Sequence, residues 1–126
     1  MTAEYTVANP AEIDPEPSEV SGTPNVNLAD RLGCTEMRPR VWYLDPGDAV
    51  SYHRQDRQEE FYLVLEGTGR IRIGDERLTF EAGTTLRIPP ETPRQIYNDT
   101  EDDRHVWLVV GAPAIENDGL TVEVSE

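Results

Sequence analysis

Apolar and polar residues alternate in short runs along most of the chain, and turn-forming residues separate these runs. The clearest case is residues 69–83, GRIRIGDERLTFEAG, where two isoleucines alternate with arginines before a Gly-Asp pair. An alternation of period two places apolar side chains on one face of a strand, and Gly-Asp is typical of a tight reversal. This stretch therefore predicts a β-hairpin.

Further segments show the same β-type patterns, separated by turn residues at a spacing of roughly ten residues. They are residues 40–44, 50–55, 61–67, 84–90, 94–99, 105–111 and 120–124. Many short strands are typical of a β-sandwich or β-barrel. The one helical signal lies in residues 25–34, where Asn27 can cap a single turn and Gly33 can end it. A length of 126 residues suits one compact all-β domain.

The first 25 or so residues differ from the rest, because they hold four of the ten prolines, many acids and little apolar periodicity. Such a composition favours an extended segment over a packed one. We therefore expect an acidic, extended N-terminal arm over residues 1–35, with at most a short helical turn. The β-barrel domain is expected to cover residues 36–126.

The charge composition is strongly unbalanced. Twenty-five acids stand against eleven bases, all of them arginine, which gives a formal net charge of −14. This charge disfavours nucleic acids and anionic membranes as partners. It also makes a small fold repel itself unless salt screens the charges, and the Debye length falls to about 3 Å at 1 M salt. An acid-rich chain without lysine resembles the cytosolic proteins of salt-accumulating halophiles.

Three further features favour a cytoplasmic location. The single cysteine, Cys34, has no partner for an internal disulfide, as is usual in a reducing compartment, and we expect it to be a packing residue. No apolar stretch approaches the length that a membrane span requires. The N-terminal sequence shows no basic segment followed by an apolar one, so no signal peptide is expected.

Two spaced sets of polar and turn residues carry the candidate chemistry. In the first set Gly47, His53, Gln55, Glu60 and Gly67 follow one another with five, one, four and six residues between them. Positions 53 and 55 lie two apart on a predicted strand, so both side chains point to one face.

The second set has Gly83, Pro89, Glu91, Arg94 and Asn98, with five, one, two and three residues between them. Together the two sets resemble the paired motifs of the cupin family, in which each motif spans a hairpin of a small barrel. The spacings match, whereas the second histidine of the first motif is Gln55, and the glycine and histidine of the second motif are Glu91 and Arg94.

The cupin resemblance implies an antiparallel jelly-roll barrel in which His53, Gln55, Glu60 and Arg94 converge in the barrel mouth. Metal-dependent cupins use three histidines and one glutamate, a ligand set that suits Fe, Mn, Ni, Zn or Cu. Arg94 cannot be a ligand, because a guanidinium has no acceptor and stays charged. We expect it instead to replace a metal electrostatically, either paired with Glu60 or Glu59 or bound to a ligand carboxylate or phosphate.

Three functions remain open at this point. The first is a cupin that binds a small, anionic molecule in the barrel mouth through Arg94, His53, Glu60 and Tyr62. The second is a metal-dependent enzyme of dioxygenase or sugar isomerase type, with His53, Gln55 and Glu60 as metal ligands. The third is a non-catalytic structural or interaction module in which Arg94 and Glu60 form a buried ion pair. No catalytic residue is assigned, and no cofactor is required outside the metal alternative.

Other residues are expected to have structural roles. We expect His105 to be a surface or strand-end histidine, and Asn98 to hold a turn or bond to backbone. Trp42 and Trp107 are predicted to anchor the core or a subunit interface. Small cupins often form dimers that exchange N-terminal segments, so the resemblance also implies a homodimer.

Overall fold

The structure, a computed structural model, describes residues 3–123 and consists mainly of antiparallel strands. In chain order the strands are β1 Glu16–Pro17, β2 Pro24–Asn27, β3 Arg38–Leu44, β4 His53–Gln55, β5 Glu59–Glu66, β6 Thr68–Ile73, β7 Glu76–Glu81, β8 Thr85–Ile88, β9 Arg94–Ile96, β10 His105–Ala112 and β11 Gly119–Thr121. A single 3-10 turn spans Pro10–Glu12, and helix α1 spans Leu28–Leu32. Over residues 3–123, neither is long or apolar enough to cross a membrane.

The strands form two sheets. One has the order β1-β2-β3-β10-β5-β8, and the other has the order β11-β4-β9-β6-β7. Neighbouring strands pair antiparallel throughout. This confirms the predicted all-β class and the antiparallel jelly-roll barrel.

The core lies between the sheets and is built from the alternating residues of the predicted strands. Trp107 of β10 is fully buried, and its ring meets Tyr62 of β5 edge to face at a centroid distance of 5.8 Å. Gly69 of β6 is needed at this point, because a Cβ there would lie 2.5 Å from the Trp107 ring. Trp107 is therefore a core anchor as predicted, and Trp42 packs against the same cluster while remaining partly buried.

The last part of the predicted arm belongs to the barrel sheet. Strand β2 pairs with β3, and Val26 and Leu28 pack against Val41 and Val106 on the outer face of the six-stranded sheet. The helical turn predicted in residues 25–34 is confirmed as α1. Hydrogen bonds between β2 and β3 thus join residues on both sides of the predicted boundary between arm and barrel domain at residue 35. The boundary itself stays a prediction. The predicted strand 120–124 corresponds to β11, and residue 124 lies outside the described residues.

The α1 ends follow ordinary helix chemistry. Asn27 Oδ1 accepts a hydrogen bond from the backbone N–H of Asp30, which supplies a partner for one free donor of the first turn. Gly33 ends the helix with φ +71°, a left-handed conformation that glycine adopts without steric cost.

The expectation that His105 lies at the surface is wrong, although it does begin a strand. The residue is 1% exposed, Trp107 Nε1 donates to its Nδ1 at 2.9 Å, and its Nε2 donates to the Tyr97 carbonyl at 3.0 Å. These bonds require a neutral ring with hydrogen on Nε2, because a protonated Nδ1 could not accept from Trp107. Burial is the main cause that lowers the pKa of His105.

The buried His105 makes stability depend on pH. The unfolded chain takes up a proton near the ordinary histidine pKa of about 6.5, whereas the folded ring resists protonation. The contribution of His105 is therefore complete above that pKa and is lost as pH falls through it toward the lowered folded pKa. We expect the free energy of unfolding, measured with urea from pH 7.5 to pH 5.5, to fall by at most about 1.4 kcal/mol per pH unit for this residue.

High salt is needed in that experiment so that screening removes changes in the overall charge repulsion. The His105→Gln variant should lose stability at pH 7.5 and show a flatter pH profile than the wild type. If the free energy of unfolding changes equally with pH in the wild type and in His105→Gln, the pH dependence does not come from His105.

Candidate functional site

A cavity of about 310 Å³ opens inside the barrel, and we call it the barrel cavity. Its walls come from β3, β4 and β5, from the arm at residues 18–21 and from the chain around β11. His53, Gln55, Glu60 and Tyr62, four residues singled out from the sequence, line it. The sequence analysis therefore named four of the residues that line the cavity.

The strands bring these residues together because each contributes alternate positions to the barrel interior. His53 of β4 pairs in register with Arg94 of β9. Glu60 and Tyr62 lie two apart on β5, so they share a face that points inward. The predicted convergence of positions 53, 60 and 94 thus agrees with the strand register.

Arg94 and Glu60 form a buried ion pair at the base of the site. The Arg94 side chain is 0% exposed, and its Nη1 donates to Glu60 Oε1 at 2.7 Å. Its Nη2 donates to the Pro89 carbonyl at 2.6 Å. Tyr62 Oη donates to the same Glu60 oxygen at 2.9 Å. The predicted pairing of Arg94 with Glu60 is therefore present.

Arg94 lies behind Glu60 and is absent from the cavity wall. That Arg94 binds a ligand directly stays a prediction, and this geometry favours a positioning role in which the guanidinium orients and neutralises the Glu60 carboxylate. Burial, followed by the charge of Glu60, raises the pKa of Tyr62 well above its usual value. Tyr62 therefore remains a hydrogen-bond donor at neutral pH.

His53 presents a neutral imidazole to the cavity. Its Nδ1 lies 2.8 Å from the Ser51 carbonyl, which can only accept, so Nδ1 carries the hydrogen and Nε2 carries the lone pair. Burial is the largest cause that lowers the pKa of His53; Glu60 acts to raise it and Arg94 to lower it. His53 Nε2 makes no protein hydrogen bond within residues 3–123 and can accept one from a bound molecule.

Gln55 is buried, with 7% of its surface exposed, and its side-chain Oε1 has no hydrogen-bond partner among the described residues. A buried polar group without a partner costs about 1–3 kcal/mol. Gln58, which also lines the cavity, differs because its Nε2 donates to the Ile115 carbonyl at 2.7 Å. The cavity is thus lined by one glutamine with a bonded amide, Gln58, and by one whose amide oxygen has no protein partner, Gln55, which we call the open amide.

The sequence reasoning missed Arg38 and Arg40, which also line the cavity. They alternate with buried Pro39 and Val41 on β3, so they share the inward face with Trp42. The period-two pattern of RPRVWYL contains this signal. Strand β3 begins at residue 38, two positions before the predicted strand, and this places both arginines inside it.

The residues of the site do not fit a tightly bound divalent metal. Residues 3–123 contain no group of three histidine, cysteine, aspartate or glutamate side chains placed to hold one. Glu60 Oε1 already accepts from Arg94 and Tyr62, so a divalent ion at this carboxylate would lie within a few Å of a permanent cation. Repulsion between unit charges at 4 Å is about 4 kcal/mol at an effective dielectric constant of 20, and a divalent ion doubles it.

Breaking the buried pair should strongly destabilise the barrel. Arg94→Met leaves Glu60 buried without its cation, and we expect the free energy of unfolding to fall by about 3–5 kcal/mol. The double variant Arg94→Met/Glu60→Leu should recover much of that loss, because no buried charge is left unpaired. Chemical denaturation of the three proteins measures both effects.

An exposed pair provides the matched control. Arg87 and Glu59 form a salt bridge within the six-stranded sheet, with more than half of each side chain exposed. Because solvent screens this pair, Arg87→Met should cost less than about 1 kcal/mol. A similar loss for Arg87→Met and Arg94→Met would show that burial of the Arg94 pair is not the decisive factor.

Comparisons with known proteins give a family and several relatives. An uncharacterised protein of Methanocaldococcus jannaschii is 36% identical over 52 residues, which cover 41% of this chain and 42% of that protein. Auxin-binding protein 4 of Zea mays is 25% identical over 107 residues, which cover 75% of this chain and 52% of that protein. The chain thus spans about half the length of the curated relatives it matches, or less.

A solved structure of a cupin protein from Bacteroides fragilis superimposes with a TM-score of 0.64 and 29% identity over 90% of this chain and 98% of that one. The sequence model described as the cupin domain matches residues 40–111, which is more than half of the 126 residues. This match includes both spaced motifs. The chain belongs to the cupin domain family.

Proposed function

We propose that this cupin domain binds a small, hydroxyl-bearing organic molecule in the barrel cavity without a tightly held metal. Gln55 is the observation that carries the proposal, because its amide is buried at the cavity and has no protein partner for Oε1. His53 Nε2 and Glu60 provide further acceptors on the same wall. A ligand hydroxyl could donate to His53 Nε2 and Glu60, and it could remove the cost of the open amide once the Gln55 side chain turns its fully buried Oε1 toward the cavity.

The cavity volume supports a ligand of modest size. About 310 Å³ falls at the lower end of the volumes usual for small-molecule sites. Since one liquid water occupies about 30 Å³, the space corresponds to roughly ten waters. The maize relative is named as an auxin-binding protein, which supports small-molecule binding as a class.

The buried ion pair with Arg94 holds the Glu60 carboxylate in one orientation, so the site has a hydrogen-bond acceptor in a fixed position. Arg94 and Tyr62 both hold Glu60 Oε1, so the carboxylate is oriented before a ligand arrives. A preorganised site loses less conformational entropy on binding. The neutral His53 beside it is also the group that could accept a proton from a bound hydroxyl, so the proposal is compatible with binding alone or with proton transfer.

Gln55→Met tests the proposal by removing the open amide at nearly constant volume. We expect the free energy of unfolding to stay within about 1 kcal/mol of the wild type or to rise, because no satisfied bond is lost. Binding of hydroxyl compounds should weaken about 5- to 30-fold, the effect of a lost hydrogen bond of roughly 1–2 kcal/mol. Calorimetric titration of matched pairs, ribose against 2-deoxyribose and lactate against propionate, measures this.

Gln58→Met is the matched control, since it removes a bonded glutamine from the same cavity. It should lose stability, because the Ile115 carbonyl loses its donor. The proposal fails if Gln55→Met binds the hydroxyl compounds as well as the wild type does, or if the wild type does not distinguish the hydroxyl compounds from their deoxy partners.

The metal-dependent alternative has its own test. Elemental analysis of the wild type, purified without a histidine tag after metal supplementation, should show far less than one transition metal per chain. The reason is that Arg94 occupies the position of the fourth metal ligand of metal-dependent cupins. Arg94→His supplies an imidazole there and removes the cation, so its affinity for Zn²⁺ or Ni²⁺ should rise at least about 100-fold. Arg94→Gln, which removes the cation without adding an imidazole, serves as the control. About one metal per wild-type chain would support the metal-dependent enzyme instead.

A further inference from the structure

We propose that Arg38 and Arg40 form the anion-binding wall of the barrel cavity and hold the carboxylate or phosphate group of its ligand. This inference rests on the proposed function, since it names the chemical class of the molecule bound there. It moves the anion contact from Arg94, which lies behind Glu60, to two arginines that line the cavity itself.

The register of the six-stranded sheet places the two arginines two strands away from Glu60 and Tyr62 on the same face. Arg38 pairs across to Gly111 of β10, and Gly111 pairs across to Glu60 of β5. Neighbouring strands lie about 4.8 Å apart, so the backbones at Arg38 and Glu60 are separated by about 10 Å. Gly111 between them has no side chain, and the Gln58 amide packs over it, because a Cβ there would lie 2.7 Å from Gln58 Oε1. A compact ligand with an anionic group at the arginines and hydroxyls at Glu60 would therefore lie against Gln58, which also lines the cavity.

A second row runs across the sheet beside the first, with a buried valine in the place of Gly111. Arg40 pairs with Val109, which pairs with Tyr62. Arg40 lies over the Trp42 ring, 5.4 Å from its centroid, and its Nη1 donates to Asn25 Oδ1 at 3.1 Å. The stacking and the single bond hold the side chain in place while leaving other guanidinium donors free.

Protein acids leave this pair of arginines largely uncompensated. Within residues 3–123 the one acid in contact with Arg38 is Glu116, at 4.0 Å and 80% exposed, a geometry of little energetic worth. The acids nearest the cavity are engaged elsewhere: Glu60 with Arg94, and Asp118 with the backbone N–H groups of Arg57 and Gln58. This contrasts with Arg94, whose charge is paired at 2.7 Å.

The two arginines also repel one another. Burial and then the charge of Arg38 lower the pKa of Arg40, while Asp30 acts to raise it. Asp30 itself accepts from the Asn27 side chain. A ligand oxyanion between the two guanidinium groups would replace this repulsion with charge-assisted, bidentate bonds, which are about twice as strong as neutral ones. The positions therefore suit a carboxylate or a phosphate ester.

Three compounds with one carbon skeleton test the inference: glycerol, glycerate and glycerol 3-phosphate. We expect calorimetric titration of the wild type to show glycerate, glycerol 3-phosphate or both binding at least about tenfold more tightly than glycerol. The tighter of the two anions identifies carboxylate or phosphate as the preferred group. Arg38→Met and Arg40→Met should each remove most of this preference, so that the anions bind each variant little more tightly than glycerol binds the same variant.

Arg54→Met is the matched control. Arg54 lies between His53 and Gln55 on β4, so its side chain points to the opposite face, and it does not line the cavity. This variant changes the net charge equally and should keep the anion preference. Thermal unfolding of each variant confirms that the barrel remains folded.

The outcomes separate the two proposals. Anion affinities that are equal in Arg38→Met, Arg40→Met and Arg54→Met would overturn the anion wall, and so would a wild type that binds glycerol as tightly as the anions. A loss of anion binding in the two cavity variants, with Gln55→Met unaffected, would keep the anion wall and reject the hydroxyl contact. No binding of any of the three compounds at millimolar concentration would reject both.

Discussion

The buried pair between Arg94 and Glu60 is the interaction on which the rest of the site depends. Arg94 belongs to β9 of the five-stranded sheet and Glu60 to β5 of the six-stranded sheet, so the pair joins the two halves of the barrel. Desolvating two charges is costly, and the attraction between them offsets that cost only when the remaining hydrogen-bonding groups also find partners. Tyr62 and the Pro89 carbonyl provide two such partners, whereas Arg94 Nε has none among the described residues.

The same pair sets the electrostatics of the cavity. The charge of the Glu60 carboxylate raises the pKa of His53 and so favours the imidazolium, whereas the charge of Arg94 lowers that pKa. Burial then decides the outcome, and His53 remains a neutral acceptor at physiological pH. The cavity wall at β4 and β5 therefore offers lone pairs without a net positive charge. Under the proposed function, an arginine at the position of the fourth metal ligand is therefore the reason to expect an organic molecule instead of a metal ion.

Local patterns predicted much of the fold, whereas long-range packing determined what was missed. The hairpin at residues 69–83 and the α1 turn follow from alternation, turn chemistry and caps that lie within a few residues of one another. The burial of His105 depends on Tyr97 from a different part of the chain, so an isolated histidine among charged residues gave no sign of it. The sequence places strand β2 in the arm, because proline and asparagine are uncommon in strands and give no signal for its pairing with β3.

The candidate site was predictable to the extent that it follows the spaced motifs. His53, Gln55, Glu60 and Arg94 were placed by spacing, and the register brings them together. Arg38 and Arg40 lie outside both motifs, and their role depends on which acids remain free to pair with them, a property that only the folded structure determines.

Charge segregation links the site to the overall composition. The chain carries 25 acids, yet two of its eleven arginines face an inner cavity with little acidic compensation. At a distance, a net charge of −14 repels an anionic ligand, whereas within the cavity the guanidinium groups attract it. Salt would weaken both effects, but the long-range repulsion is screened more completely than contacts in a partly buried pocket. The proposed anion-binding wall should therefore keep its affinity at high ionic strength, the condition predicted from the lysine-free, acidic composition.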